Sequence, residues 1–175
     1  MIAGAPSAAV TALNNPSITV TVCDRDEFRI RRWNSAHLPI HEPGLHDVVR
    51  VPRDGLNAPS FASNDTPEDR DTRDNPNFHR KPNLVFTTDC AKAVTEADLI
   101  FLAVNTSTKT VGAGAGFATD MTALEGAVRM IAAHARDGAI IVEKSTVPCR
   151  TARLIHNIVS HIMTSHVART DETTV

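Results

Sequence analysis

The chain has 175 residues, of which 42% are hydrophobic and 22% charged, the composition of a globular domain and not of a disordered one. Eighteen Lys and Arg against twenty Asp and Glu leave a formal net charge of −2. No basic field is therefore present to draw a nucleic-acid backbone, and no apolar run approaches the roughly 20 residues of a membrane helix.

In chain order, residues 6–13 predict a helix with Pro6 near its start, where a missing N–H costs nothing. Asn14-Asn15-Pro16 stops it, because a residue before proline avoids the helical region. Residues 17–23 form a β-branched strand ending at Asp24, and 26–33 a short helix with Asp26 as its N-cap. Residues 83–87 and 98–104 read as strands, with a short helix over 89–96 between them. Met121, Leu124, Val128 and Ile131 recur at helical spacing within 120–136, and Gly138 is placed to close that helix. A fourth strand covers 139–142. A last helix covers 147–163, with Leu154, Ile158 and Ile162 on one face.

Strands alternating with helices predict an α/β fold with a doubly wound parallel sheet, and no strand precedes the first helix. The segment 54–82 is dense in Asp, Asn, Pro and Arg without apolar period. Its length is unusual for a loop inside a compact domain, and it reads as a flexible, disordered insertion. The polar tail 164–175 reads as disordered, leaving one domain over 1–163. Cys23, Cys90 and Cys149 lack metal-type spacing, and no secretory leader is visible. Reduced thiols and a cytoplasmic setting are expected.

Asp24 carries the first chemical signal. An acidic residue ending the second strand of a dinucleotide fold accepts hydrogen bonds from the adenosine ribose, and it follows a glycine turn by about 20 residues. Gly4 stands at that distance upstream, directly before the first helix.

The residues around this pair extend the signal. Gly4-Ala-Pro-Ser-Ala-Ala-Val10, Val20-Thr-Val-Cys-Asp24, Arg29-Ile30, Trp33-Asn34 and Leu38-Pro-Ile-His-Glu-Pro-Gly-Leu45 resemble UDP-glucose 6-dehydrogenases of the UDP-glucose/GDP-mannose dehydrogenase family. So do Ala97-Asp-Leu-Ile-Phe101, Val104-Asn-Thr-Ser-Thr-Lys-Thr110 and Val142-Glu-Lys-Ser-Thr-Val-Pro148, all in family order. The resemblance implies a Rossmann-like NAD-binding domain of an enzyme that oxidises the C6 alcohol of UDP-glucose to UDP-glucuronate with two NAD. It implies that Gly4 packs the first helix closely, and that Asp24 and Arg29 hold the adenosine ribose. Val104, Asn105, Thr106, Ser107 and Thr108 would lie along the cofactor, with Ser107 where the family has Pro. Ser145 and Val147 would flank the nicotinamide, and Thr146 would take a catalytic part by helping to place a water near the reacting sulfur. Family members assemble as homo-oligomers.

The resemblance also has gaps. Met1-Ile2-Ala3 stands where the family carries the rest of its glycine turn, so the first strand is expected to be missing. The Gly-Gly-Ser-Cys motif holding the catalytic cysteine has no counterpart, and the chain alone is expected to be catalytically incompetent. Two other readings remain open: another nucleotide-sugar dehydrogenase, or a non-catalytic fragment that binds NAD or pairs with other subunits. Gly112-Ala-Gly-Ala-Gly116 lacks the spacing of a phosphate loop. His156, His161 and His166 are too far apart for one helix face, so no metal is expected. Cys149 is not the family nucleophile, and Glu42 in its Glu-Pro-Gly turn reads as a helix cap as readily as an acid or base.

Overall fold

The computed structural model describes residues 4–55 and 80–171, with side chains through 162. The body of the expected insertion, 56–79, and the last residues of the tail lie outside the described residues. The chain forms two compact units, Ile2–Asp89 and Cys90–Val175.

The first unit begins with α1 (Gly4–Asn14), then β1 (Val20–Cys23), α2 (Glu27–Trp33), α3 (Leu45–Asp54) and β2 (Leu84–Thr87). Ala5, Ala9 and Ala12 share one face of α1 and are buried. Their small side chains let the helix axis come close to the sheet. They pack in one core with Ile30, Trp33, Leu45, Val49, Leu84 and Phe86, flanked by Val20 and Val22. Trp33 is 3% exposed, and its ring stacks on Phe86 with centroids 5.4 Å apart. Asp26 caps α2 as expected, its carboxylate accepting from the Arg29 N–H at 3.0 Å.

Helix α3 was not anticipated, although Leu45, Val48 and Val49 already have helical spacing. Pro52 obscured it. In the last turn proline forfeits a single intrahelical bond, and its own carbonyl, left over at the helix end, accepts from the Asn83 N–H at 2.8 Å. Gly55 ends the helix with φ 73°, and a Cβ there would stand 2.5 Å from the Arg80 carbonyl oxygen, so only glycine fits. Glu42 contributes its carbonyl, not its side chain, accepting from the Leu45 N–H at 3.1 Å.

Arg80 and Asn83 hold this unit together. Arg80 donates to the carbonyls of Ala12 and Leu13, which the last turn of α1 leaves without partners. The Asn83 amide donates to Ala12, Asn15 and Ile18 carbonyls at 3.0, 3.1 and 2.9 Å and accepts from Arg80 at 2.9 Å. At the end of α3, Asp54 pairs with Arg53 and Arg50. The Arg53 hydrogen bond, helped by Arg50 and opposed by burial, holds the Asp54 carboxyl at about 2, below its ordinary 3.8. A carboxylate with a depressed folded pKa stabilises the fold above its unfolded value, and that contribution is lost as pH falls. Asp54→Asn should therefore cost about 2 kcal/mol at neutral pH. The difference from wild type should vanish in urea titrations as pH falls from 4 toward 2.

The second unit contains α4 (Cys90–Thr95), β3 (Leu99–Leu102), α5 (Thr122–His134), β4 (Ile140–Glu143) and α6 (Thr151–Asp171). Leu124, Val128 and Ile131 of α5 are buried with Val94, Leu102 and Ile155, and Met121 packs against them, the face that the spacing predicted. The Asp120 carboxylate accepts from the Thr122 N–H at 3.0 Å in the first turn of α5. Gly138 does not cap this helix: Ala135 does, in extended conformation, and Gly138 makes the positive-φ turn before β4. Helix α6 starts later than expected, because Thr151 donates both its N–H and its hydroxyl to the Pro148 carbonyl after Arg150 turns at φ 71°. It runs past Met163, where the sequence suggests only a polar tail. Its buried face holds Ile155, Ile158 and Val159, while Leu154 is exposed.

Among the described residues the named strands pair in parallel, β1 with β2 and β3 with β4, giving two two-stranded sheets. No strand precedes α1 among the described residues. Each sheet is covered on one face. On the other, Leu99, Phe101 and Ile140 of β3 and β4 are 47%, 56% and 61% exposed, although parallel strands are normally buried on both sides. Among the described residues, no helix is long and apolar enough to cross a membrane.

Candidate cofactor site

The residues singled out from the sequence fall into two sets, each within one unit. In the first unit Gly4 opens α1. Asp24 follows the last residue of β1, its N–H donating to the Thr87 carbonyl at 3.2 Å. Parallel pairing with β2 therefore carries Asp24 to the C-terminal edge of the strands, the edge at which open α/β sheets bind ligands. Its Oδ1 accepts from the Asp26 N–H at 3.0 Å, and its Oδ2 lies 2.5 Å from Arg29 Nη1. Arg29 also reaches Asp26 at 3.2 Å. A carboxylate has about four acceptor sites, so Asp24 keeps capacity for two further donors, and its side chain is 29% exposed. A vicinal diol of a ribose presents two such donors.

The second set follows β3 and β4. Ser145 is 9% exposed. Its Oγ lies 3.0 Å from both the Val104 N–H and the Val104 carbonyl and 3.3 Å from the Leu102 carbonyl. The hydroxyl thus staples the two strand ends together. This differs from a direct polar contact to a cofactor, because its proton and a lone pair are already used. Thr106 Oγ1 reaches the Thr146 carbonyl at 2.7 Å and Thr146 Oγ1 at 3.2 Å. Val104 and Val147 pack on the core, which anchors both loops. Asn105, Ser107, Thr108 and Thr146 are exposed. Their backbone is held by the Asp120 N–H donating to the Ser107 carbonyl at 2.7 Å and by an antiparallel bridge between Thr108 and Thr119.

Beyond the bridge, Gly112, Gly114 and Gly116 all take positive φ, and the loop exposes Val111 and Phe117. It folds back on its own carbonyls, with the Gly116 N–H donating to Lys109 at 2.8 Å. His156 and His161 are exposed on α6. Glu143 was not singled out. Opposite Leu102 in the β3–β4 register, it has a buried Oε1 with no hydrogen-bond partner among the described residues, and burial raises its carboxyl above the ordinary 4.5. A charge ending an otherwise apolar strand was the available signal.

The UDP-glucose/GDP-mannose dehydrogenase family, NAD binding domain, matches residues 75–173. The chain belongs to this family. It is 45% identical over 158 residues to UDP-glucose 6-dehydrogenase 1 of Arabidopsis thaliana, covering 90% of this chain and 27% of that protein. It is 43% identical over 155 residues to UDP-glucose 6-dehydrogenase of Drosophila melanogaster, covering 89% and 27%. The chain thus spans about a quarter of the length of these relatives. Two solved structures share its fold. A UDP-glucose dehydrogenase from Pyrobaculum islandicum superposes with a TM-score of 0.64 at 22% identity, over 93% of this chain and 31% of that one. A GDP-mannose dehydrogenase from Pseudomonas aeruginosa gives 0.61 at 24%, over 91% and 30%. The fold is therefore that of Rossmann-type nucleotide-sugar dehydrogenases.

Proposed function

We propose that the chain binds NAD and is the cofactor-binding part of an enzyme that oxidises UDP-glucose to UDP-glucuronate. The observation that carries this reading is Asp24, a carboxylate with spare acceptor capacity at the C-terminal end of a parallel strand. In it, Asp24 accepts from the adenosine ribose hydroxyls while Arg29 fixes its orientation. The loops at 104–108 and 145–147 contact the cofactor through backbone groups and the Thr146 hydroxyl. The positive end of α1, at Gly4, favours phosphate. NAD, once bound, supplies the hydride acceptor; the chain's own residues supply binding and orientation.

UDP-glucose is favoured as the substrate of the whole protein because the relatives at 43–45% identity are named for it. Calorimetric titration of the purified chain with NAD tests the binding step. One site with a Kd below about 1 mM, roughly 4 kcal/mol of binding free energy, is expected. Absence of heat at several times that concentration contradicts it.

A further inference from the structure

The Thr106–Thr146 contact has a polarity that its distances determine. A hydroxyl carries one proton and two lone pairs, whereas a carbonyl oxygen only accepts. The Thr106 Oγ1 lies 2.7 Å from the Thr146 carbonyl oxygen, and two acceptors do not approach that closely without a proton between them. The Thr106 proton is therefore spent on that carbonyl. Toward Thr146 Oγ1, 3.2 Å away, Thr106 offers only lone pairs, and Thr146 is the donor. Its proton goes to Thr106, and its lone pairs are left for another partner.

From this polarity, and resting on the NAD reading above, we propose that Thr106 is a positioning residue that makes Thr146 an obligate hydrogen-bond acceptor toward its ligand. The group that Thr146 recognises is an N–H or O–H donor, not a carbonyl or phosphate oxygen. Two sources present such a donor: the amide N–H of the nicotinamide carboxamide and a bound water. A water that donates to Thr146 keeps its own lone pairs free for other partners. Ser145 supports the arrangement, because its hydroxyl ties Val104 to the end of β3 and so keeps the two loops in register.

The test compares Thr106→Val, which keeps the shape and removes the hydroxyl, with Thr106→Ser, which restores the hydroxyl. Three-bond couplings to the Thr146 methyl carbon report its χ1 rotamer by NMR. One rotamer is expected in wild type and Thr106→Ser, and averaged couplings in Thr106→Val. Titrations use NAD and its 3-acetylpyridine analogue, whose methyl ketone lacks the amide N–H. Thr106→Val should weaken NAD about fivefold, the loss of one hydrogen bond, and Thr106→Ser should recover it. Loss for NAD alone assigns the donor to the carboxamide, and equal loss for both assigns it to water. Wild-type couplings and wild-type affinity in Thr106→Val overturn the proposal. Should the wild-type chain bind no NAD, the cofactor reading falls by itself. The couplings then decide the orientation, with unchanged values in Thr106→Val overturning it.

Discussion

Asn83→Ala lowers the unfolding free energy of the first unit by about 3 kcal/mol, through the unmet hydrogen bonds of buried carbonyls. The side chain is 4% exposed and touches three segments far apart in sequence: the end of α1 at Ala12, the turn at Asn15 and the approach to β1 at Ile18. Water does not replace it easily at so closed a position, and alanine leaves the three carbonyls and the Arg80 guanidinium short of a partner. Two properties make the effect specific. The backbone of Asn83 is already fixed by Pro52 and Val20, so the variant keeps the strand pairing and loses only the side-chain bonds. Asn83→Asp keeps the acceptor for Arg80 and deletes both donors, and it should lose nearly as much stability. Trp33, buried and stacked on Phe86, reports unfolding by fluorescence during a urea titration. A loss below about 0.5 kcal/mol, the level of an ordinary surface change, contradicts the role assigned to Asn83.

The second large effect concerns cofactor choice. Asp24→Ala is expected to weaken NAD by ten- to a hundredfold, since hydrogen bonds to a charged group contribute about 1.5–3 kcal/mol. It should simultaneously improve binding of the 2′-phosphorylated form. In the wild-type chain the Asp24 carboxylate repels a 2′-phosphate and engages Arg29 at 2.5 Å. Without Asp24, Arg29 keeps only its longer contact to Asp26 and becomes available to a phosphate, the arrangement by which dinucleotide folds accept NADP. Asp24→Asn keeps an acceptor and removes the charge, so it should lose less NAD affinity while relaxing the discrimination. Parallel titrations with both cofactors read the ratio directly. An unchanged ratio in Asp24→Ala would remove Asp24 from the ribose site.

The parts of this molecule legible from sequence are those governed by local rules. The β-branched run before Asp24, the cap at Asp26 and the apolar spacing from Met121 to Ile131 each depend on residues within a few positions. Asp24 was legible from the strand that it follows, and Arg29, five residues later in α2, from the family resemblance. What escaped depends on distant partners. Arg80 lies in a polar stretch that gives no hint of its target, the carbonyls of Ala12 and Leu13. Ser145 was placed beside the nicotinamide by resemblance alone, and nothing local hints that its hydroxyl bonds Val104 and Leu102. Pro52 concealed α3 because proline is a helix breaker in the interior and harmless in a last turn. The buried face of α6 was misjudged by one residue, from Ile155 to Leu154. The start of that helix depends on a positive φ at Arg150 that no propensity anticipates.

The central claim is that the residues at the strand ends of each unit respond to NAD. A residue-resolved NMR titration of the full chain with NAD measures this most directly. Amide resonances of Asp24 and Arg29, and those of residues 104–108 and 145–147, are expected to shift and to saturate as NAD is added. Resonances that stay in place at both sets, or shifts confined to the glycine loop at Gly112–Gly116, would contradict it.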